Sequence, residues 1–123
     1  MAGSFRALIV DDDPDLLALI RLTLEYMAGW QIFSASSAAE GLEIARDRVP
    51  DVVLVDLTMP EIDGYEFGRR LRLDPATAGV PLVLLTAHTE LDKVRLADAG
   101  VAGVLFKPFQ PETLAQQVRE FCR

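Results

Sequence analysis

Residues 7–13 read ALIVDDD, four apolar residues followed by three acidic ones. The chain has three more short, mostly apolar runs, at residues 51–55, 80–85 and 101–106, and a weaker one at residues 31–34. Runs that are apolar throughout, rather than alternating with polar residues, are typical of strands covered on both faces. The sequence therefore predicts five buried strands, the first at residues 7–10.

The segments between these runs carry apolar residues at helical spacing. The three clearest predicted helices have these apolar positions: Leu16, Ile20, Leu24 and Met27; Ala38, Leu42, Ala45 and Val49; and Leu114, Val118 and Phe121. Two weaker helices are predicted at about residues 65–72 and 89–99. In the first of these, Arg69, Arg70 and Arg72 are predicted to form a solvated face.

Residue types at the boundaries agree with this alternation of strands and helices. The signals are a capping box from Ser37 and Glu40, a first helical turn at Pro111, a helix C-terminus at Gly100 and a turn at Asp63 and Gly64. Strand and helix alternation implies right-handed crossovers into a parallel sheet. We therefore expect an α/β three-layer sandwich that forms a single domain over residues 1–123.

Composition places the chain among ordinary globular domains, with 123 residues of which 50% are hydrophobic and 25% are charged. The single cysteine, Cys122, excludes an intramolecular disulfide. No apolar run approaches the roughly 20 residues of a membrane-spanning helix, and the N-terminal segment reaches acidic residues too early for a secretory signal. We expect a cytoplasmic protein with no membrane partner.

The net charge of the chain restricts the kinds of molecule that it is expected to bind. The chain has 12 Lys and Arg residues against 19 Asp and Glu residues, a formal net charge of -7. This excess of negative charge disfavours nonspecific attraction to nucleic acid or to an anionic membrane. A cation or a basic partner fits better, and no direct nucleic-acid contact is expected.

Polar residues follow the predicted strands where chemistry is expected, because open parallel sheets bind ligands outside the carboxyl ends of their strands. They are Asp11, Asp12 and Asp13 after the first run, Asp56 after the third, Thr86 after the fourth and Lys107 after the fifth. The sequence therefore predicts a cluster of carboxylates, one hydroxyl and one ammonium at a single edge.

These residue types suit a metal-assisted reaction of a phosphoryl group. Crowded carboxylates repel each other unless a cation is present, and an all-oxygen ligand set favours Mg²⁺. One histidine and one cysteine cannot build a nitrogen or sulfur site. Lys107 suits contact with phosphate, Thr86 offers a hydroxyl donor, and one carboxylate can act as a nucleophile that forms an acyl phosphate.

Four motifs carry a resemblance to a known family: IVDDDPD at 9–15, VDLTMPEIDGYEF at 55–67, LLTAHTE at 84–90 and FKPF at 106–109. From residue 6 to residue 121 the chain resembles the receiver domain of bacterial two-component response regulators, and it is similar to the chemotaxis response regulator. The resemblance implies a flavodoxin-like, doubly wound fold with a five-stranded parallel sheet in the order 2-1-3-4-5 and five helices.

The resemblance also implies roles for single residues in the acidic cluster. Asp56 corresponds to the phosphoacceptor, which also contacts the metal. Asp12 corresponds to a direct Mg²⁺ ligand and Asp11 to a ligand acting largely through water. The backbone carbonyl of Thr58 corresponds to the remaining metal contact.

Further implied roles concern the residues that contact the phosphoryl group and respond to it. Thr86 corresponds to the switch hydroxyl and Lys107 to the lysine that contacts the phosphoryl group, with a cis bond between Lys107 and Pro108. The positions of Thr58 and His88 tune phosphoryl lifetime in the family, although an exposed loop histidine is the simpler interpretation of His88.

Signalling partners follow from the same resemblance. A sensor histidine kinase or a histidine phosphotransfer protein would donate the phosphoryl group. A downstream effector would bind the face formed by residues 89–99, 101–106 and 111–121. Val104 departs from the family, which usually has Tyr or Phe there, and Phe106, on the same side of the strand, is the candidate substitute.

Two other functions remain open. Asp11 and Asp13 also form the Asp-x-Asp pair of aspartyl-phosphate hydrolases of the haloacid dehalogenase type, although length and motif order argue against that class. A docking module independent of phosphorylation could use the same fold, but such modules typically lose an acid or the lysine. Asp13 and Asp15 are interpreted as acidic residues at a helix start.

Overall fold

The computed structural model describes residues 4–122, so residues 1–3 and 123 of the predicted domain lie outside the described part. Strands and helices alternate along it. The strands are β1 (Arg6–Val10), β2 (Gln31–Ala35), β3 (Val52–Asp56), β4 (Leu82–Thr86) and β5 (Val101–Phe106). The helices are α1 (Pro14–Ala28), α2 (Ala38–Arg48), α3 (Gly64–Leu73), α4 (Lys93–Ala99) and α5 (Pro111–Phe121).

The strands form one parallel sheet in the order β2-β1-β3-β4-β5, which confirms the predicted fold class. Every residue of β3 and β4 is buried because helices cover both faces of the sheet. Successive side chains point to opposite faces. Leu8 and Val53 therefore pack with α2, α3 and α4, whereas Ile9 and Leu54 pack with α1 and α5.

Most predicted helix boundaries are confirmed. Pro111 begins α5, and Gly100, in the left-handed conformation, ends α4. The Ser37 side chain accepts from the backbone N–H of Glu40 at the start of α2. The Glu40 carboxylate, however, accepts from the N–H of Ser36, so the predicted capping box forms in one direction only.

The predicted turn at Asp63 and Gly64 is instead the start of α3. The Asp63 carboxylate accepts from the N–H of Glu66 at 2.8 Å and so caps the helix. Gly64 allows α3 to lie close to the sheet, because a Cβ there would come within 2.8 Å of the Leu84 side chain and 3.0 Å of the Leu57 Cα. A side chain at this position would push α3 off the sheet.

The helix predicted at residues 89–99 begins later, at Lys93. Asp92 is its N-cap, and the Asp92 carboxylate accepts from the N–H of Arg95 at 3.1 Å. This side-chain cap fixes the helix start, so residues 87–91 form a loop after β4. Among the described residues, no helix combines the length and apolar character needed to cross a membrane.

Arg72 corrects the prediction of a solvated arginine face. Its guanidinium donates to the carbonyls of Ala78, Val80 and Ala99, and partial burial lowers its pKa. Arg69 and Arg70 behave as predicted, because both are exposed and pair with Glu66. Arg72 thus connects the end of α3 to the following loop and to the end of α4.

Two further features lie away from the carboxyl edge of the sheet. A register shift leaves Ala102 as an extra residue in β5, because Val101 pairs with Leu82 while Gly103 pairs with Val83.

Trp30, just before β2, is buried, and its ring centroid lies 4.6 Å from that of Phe5. Trp30 therefore lies at the amino end of its strand.

Candidate functional site

The carboxyl ends of four strands bring the predicted site residues together. Asp11 follows β1, Asp56 ends β3, Thr86 ends β4 and Lys107 follows β5. The Lys107 Nζ lies 3.2 Å from Asp56 Oδ2 and 3.6 Å from Asp11 Oδ2. The edge therefore carries an ammonium group between two carboxylates from neighbouring strands.

The acidic cluster consists of Asp11, Asp12 and Asp56. Each offers a carboxylate oxygen, and these oxygens lie within 4.8 Å of one another. Asp11 is fully buried, Asp56 is largely buried and Asp12 is exposed. The cluster is thus open to solvent on one side and closed by the sheet on the other.

Asp11 is the most constrained member of the cluster. Its Oδ1 accepts from the N–H of Asp13 at 2.9 Å, whereas the buried Oδ2 has no hydrogen-bond donor among residues 4–122. The Lys107 ammonium, 3.6 Å away, is an ion-pair partner beyond hydrogen-bonding distance. Burial, and then the nearby charge of Asp56, raise the pKa of the Asp11 carboxyl; the Asp13 N–H and Lys107 only partly offset this.

A buried carboxylate oxygen without a donor is costly unless another group satisfies it. Three carboxylates converge on this point, and neither histidine nor cysteine belongs to the cluster. These oxygens are hard ligands of the kind that Mg²⁺ prefers. The residues present therefore fit a hard divalent cation.

Asp56 has its two carboxylate oxygens in different environments. Oδ1 accepts from the N–H of Thr58 at 3.2 Å, and Oδ2 accepts from the Lys107 ammonium. The side chain keeps 12% of its surface exposed, unlike Asp11 with 0%. Asp56 is consequently a fixed carboxylate that a group arriving from solvent can reach.

Thr86 and His88 form a short hydrogen-bonded turn after β4. The buried Thr86 hydroxyl accepts from the N–H of His88 at 2.9 Å. The exposed His88 ring places Nε2 3.4 Å from the hydroxyl oxygen of Thr58. The resemblance named Thr58 and His88 together as positions that tune phosphoryl lifetime but did not predict a contact between them. Their positions two residues beyond adjacent strand ends were the available signal for this contact.

Asp13 lies outside the acidic cluster and serves α1. Its Oδ1 accepts from the N–H groups of Asp15 and Leu16 and caps the helix, as the interpretation of a helix start predicted. Its backbone N–H also orients Asp11, which the sequence did not predict. This arrangement gives the Asp-x-Asp hydrolase pair no support, because the Asp13 carboxylate is used by the helix.

Near the end of β5, the bond between Lys107 and Pro108 is cis, which confirms the prediction. Val104 is partly buried and packs against the core cluster beneath α4. Phe106 leaves 48% of its surface exposed. The ring that is the candidate substitute for an aromatic residue at 104 is therefore on a residue that is about half exposed, not a buried one.

Comparison with known proteins identifies the class of domain that combines this fold with an acidic cluster and a lysine at the carboxyl ends of the strands. Residues 7–119 match the response regulator receiver domain, and the chain belongs to this family. It is 38% identical over 119 residues to the DNA-binding dual master transcriptional regulator RpaA of Synechocystis sp., covering 96% of this chain and 49% of RpaA. The chain thus spans about half the length of the first curated relatives it matches.

Solved structures give the same result. The chemotaxis response regulator CheY4 of Vibrio cholerae is 30% identical with a TM-score of 0.88, over 98% of this chain and 99% of CheY4. The receiver domain of sensor histidine kinase PA1611 from Pseudomonas aeruginosa PAO1 is 26% identical with a TM-score of 0.86, over 98% of both chains. That structure is described as having a magnesium ion coordinated in the active site cleft.

Proposed function

We propose that this receiver domain accepts a phosphoryl group on Asp56 in a Mg²⁺-dependent reaction and signals by changing shape. The phosphoryl group would come from the phosphohistidine of a sensor histidine kinase or histidine phosphotransfer protein. The main supporting observation is the 3.2 Å contact between Lys107 Nζ and Asp56 Oδ2, beside the cluster of three carboxylates. The proposed unit is a switch within a single domain at residues 1–123, not a metabolic enzyme.

The proposed transfer uses Asp56 as the nucleophile. A carboxylate oxygen attacks phosphorus, and the O–P bond forms as the N–P bond of the donor breaks. The electron pair of that bond returns to the donor ring, which leaves as neutral imidazole when its other nitrogen already carries a proton. Asp56 is thereby converted to an acyl phosphate.

The metal would be held by the acidic cluster. Asp12 and Asp56 would be direct ligands, Asp11 would act largely through water, and the backbone carbonyl of Thr58 would complete the protein's contribution. When bound, Mg²⁺ supplies positive charge that offsets the charge on the transferred group. The donorless Oδ2 of Asp11 supports this assignment, because a metal-bound water would satisfy it.

Lys107 and Thr86 would then stabilise the phosphorylated form. The Lys107 ammonium can move from the Asp56 carboxylate to a phosphoryl oxygen, where it offsets developing charge. The Thr86 hydroxyl accepts from the His88 N–H, so its own proton remains available for a phosphoryl oxygen. Formation of that new bond would couple the chemistry to the loop after β4.

The effector would bind the face formed by α4, β5 and α5. With a formal net charge of -7, the domain itself is proposed to make no direct nucleic-acid contact. The DNA-binding activity in the name of RpaA belongs to a protein of which this chain covers 49%. A cytoplasmic location is proposed because the chain would have to meet its phosphoryl donor, a sensor histidine kinase or histidine phosphotransfer protein, there.

Intact-mass analysis after incubation with acetyl phosphate and Mg²⁺ tests the proposal without any partner. The wild-type chain should gain the mass of one phosphoryl group, and Asp56→Asn should gain none. Asp47→Asn, at an exposed acid of α2, is the matched control and should label normally. Equal labelling of Asp56→Asn would refute the acceptor assignment, and no labelling of wild type would favour the docking module.

A further inference from the structure

The start of α3 and the start of α4 are joined by an ion pair. Arg95, in the first turn of α4, places Nη1 3.0 Å from Oδ2 of Asp63 and donates from Nη2 to Oδ1 at 3.1 Å. Two parallel contacts are the arrangement in which a guanidinium and a carboxylate match best. Because Asp63 is the N-cap of α3, Arg95 binds the residue at which that helix begins.

In a second contact the side chain comes from α3 and reaches the backbone at the start of α4. The hydroxyl of Tyr65, in the first turn of α3, accepts from the backbone N–H of Asp92 at 3.0 Å. Asp92 is the N-cap of α4, and Tyr65 is only 8% exposed. The Arg95 guanidinium also lies over the Tyr65 ring, 4.6 Å from its centroid. We call Asp63, Tyr65, Asp92 and Arg95 the α3-α4 latch.

The latch connects the far ends of two loops that begin in the site. The loop after β3 follows Asp56 and leads to the N-cap Asp63, and the loop after β4 follows Thr86 and leads to the N-cap Asp92. Both loops are therefore fixed at the site and at the latch. Displacement of α4 from α3 would have to break the Asp92 hydrogen bond, the Arg95 ion pair, or both.

Residue 104 has no side chain large enough to replace Tyr65 in the contact with the start of α4. Val104 packs against the same core cluster as Tyr65 but has no ring or hydroxyl. Tyr65 supplies both, and its hydroxyl holds the backbone of Asp92 directly. The aromatic contact with the start of α4 thus comes from α3 in this chain.

We propose that the α3-α4 latch holds α4 in the position described here and opposes its displacement when Asp56 is phosphorylated. The strength of the latch, rather than an aromatic ring at residue 104, sets how readily the chain switches. This inference rests on the proposed function, because it concerns the response to a phosphoryl group on Asp56.

The test uses beryllofluoride with Mg²⁺, which imitates a phosphoryl group on an aspartate, and amide NMR of the whole chain. Tyr65→Phe keeps the ring and removes only the hydroxyl. Loss of one such hydrogen bond should favour the displaced arrangement about fivefold. Beryllofluoride is expected to prefer the displaced arrangement of α4. As the population of that arrangement rises, the apparent beryllofluoride affinity should increase by about the same factor.

A second variant removes the other contact. Arg95→Met keeps an apolar stem near the Tyr65 ring and loses the exposed ion pair, for which we expect about a twofold gain in affinity. The double variant should gain more than Tyr65→Phe alone, and its α4 amide signals should already lie closer to their beryllofluoride-bound positions. Because Arg95 and Tyr65 are in contact, the gain is not taken as the product of the two single effects. Tyr26→Phe and Arg21→Met alter an exposed hydroxyl and an exposed ion pair on α1 and should leave affinity unchanged.

The outcomes separate the latch from the proposed function. Wild-type affinity in both the Tyr65→Phe and double variants would overturn the latch, even if their unfolding free energies fell, because a purely structural contact lowers stability without changing affinity. If amides next to Asp56 in the wild-type chain did not respond to beryllofluoride, the proposed function would fail and the latch with it.

Discussion

Lys107 Nζ lies 3.2 Å from Asp56 Oδ2, which places a single ammonium on the carboxylate proposed to receive the phosphoryl group. The same ammonium is 3.6 Å from Asp11 Oδ2, too far to donate a hydrogen bond. One positive charge therefore faces three carboxylates at this edge. The remaining negative charge is what a divalent cation would offset.

Replacing the ammonium should slow the chemistry. Lys107→Ala should lower the rate of Mg²⁺-dependent labelling by acetyl phosphate on the order of a hundredfold, because a preorganised positive group at the phosphoryl oxygens is lost. Quench-flow labelling with mass detection measures this rate. Lys93→Ala, at an exposed lysine, is the control, and an equal loss in both variants would contradict a specific role for Lys107.

Removing a proposed metal ligand should weaken Mg²⁺ binding and relieve repulsion among the carboxylates. Asp12→Asn should lower Mg²⁺ affinity at least about tenfold in an NMR titration. The metal-free chain should become slightly more stable, because fewer carboxylates repel each other. Asp13→Asn keeps a helix-capping side chain outside the cluster and should change the affinity less than about twofold. Equal losses in the two variants would contradict the assignment.

The stabilising effect of Glu66 should depend on pH. Hydrogen bonds from Arg69, then from Arg70, lower the pKa of Glu66 from 4.5 to about 2. A carboxyl pKa that is lower in the folded chain stabilises it above the unfolded value, and the effect disappears as pH falls from 4.5 to about 2.

The measurement for Glu66 is urea unfolding of wild type and Glu66→Gln across this pH range. The free energy difference between them should be largest above pH 4.5 and should shrink on acidification. Glu43→Gln, at an exposed acid of α2, should show no comparable trend. A difference that grew on acidification would have the wrong sign.

Arg72 should matter more for stability than its neighbour on the same helix. Arg72→Met leaves three backbone carbonyls without their charged donor and should lower the free energy of unfolding by about 2–3 kcal/mol. Arg70→Met removes only an exposed ion pair and should cost less than about 1 kcal/mol. Equal losses in a urea titration would show that the carbonyl contacts contribute little.

The sheet was predictable because its strands are covered on both faces and so have nearly uninterrupted apolar runs. The location of the site followed from topology, since residues such as Asp56 and Thr86 come at the ends of such runs. Helix and turn boundaries that depend on a single side chain were harder to predict from the sequence. Asp63 and Gly64 suit both a turn and a helix start, and the contacts that distinguish these uses are the Asp63 cap on the Glu66 N–H and the packing of Gly64 against Leu84.

Contacts between distant residues explain the remaining differences. Arg72 and Arg70 look alike in sequence, but the partners of Arg72 reach as far as Ala99, 27 residues away. Tyr65 and Asp92 are likewise separated by 27 residues and meet only because α3 and α4 pack side by side. Helical periodicity and local capping patterns contain no information about such partners.

Trp30 gives the chain a fluorescent reporter of folding at a distance from its chemistry. It is the single tryptophan, and it lies buried at the amino end of β2, whereas Asp11 and Asp56 lie at the carboxyl ends of their strands. Its emission should therefore follow global unfolding rather than the filling of the acidic cluster. Melting curves recorded through Trp30 at increasing Mg²⁺ would give the metal affinity by mass action, free of direct quenching by the ion.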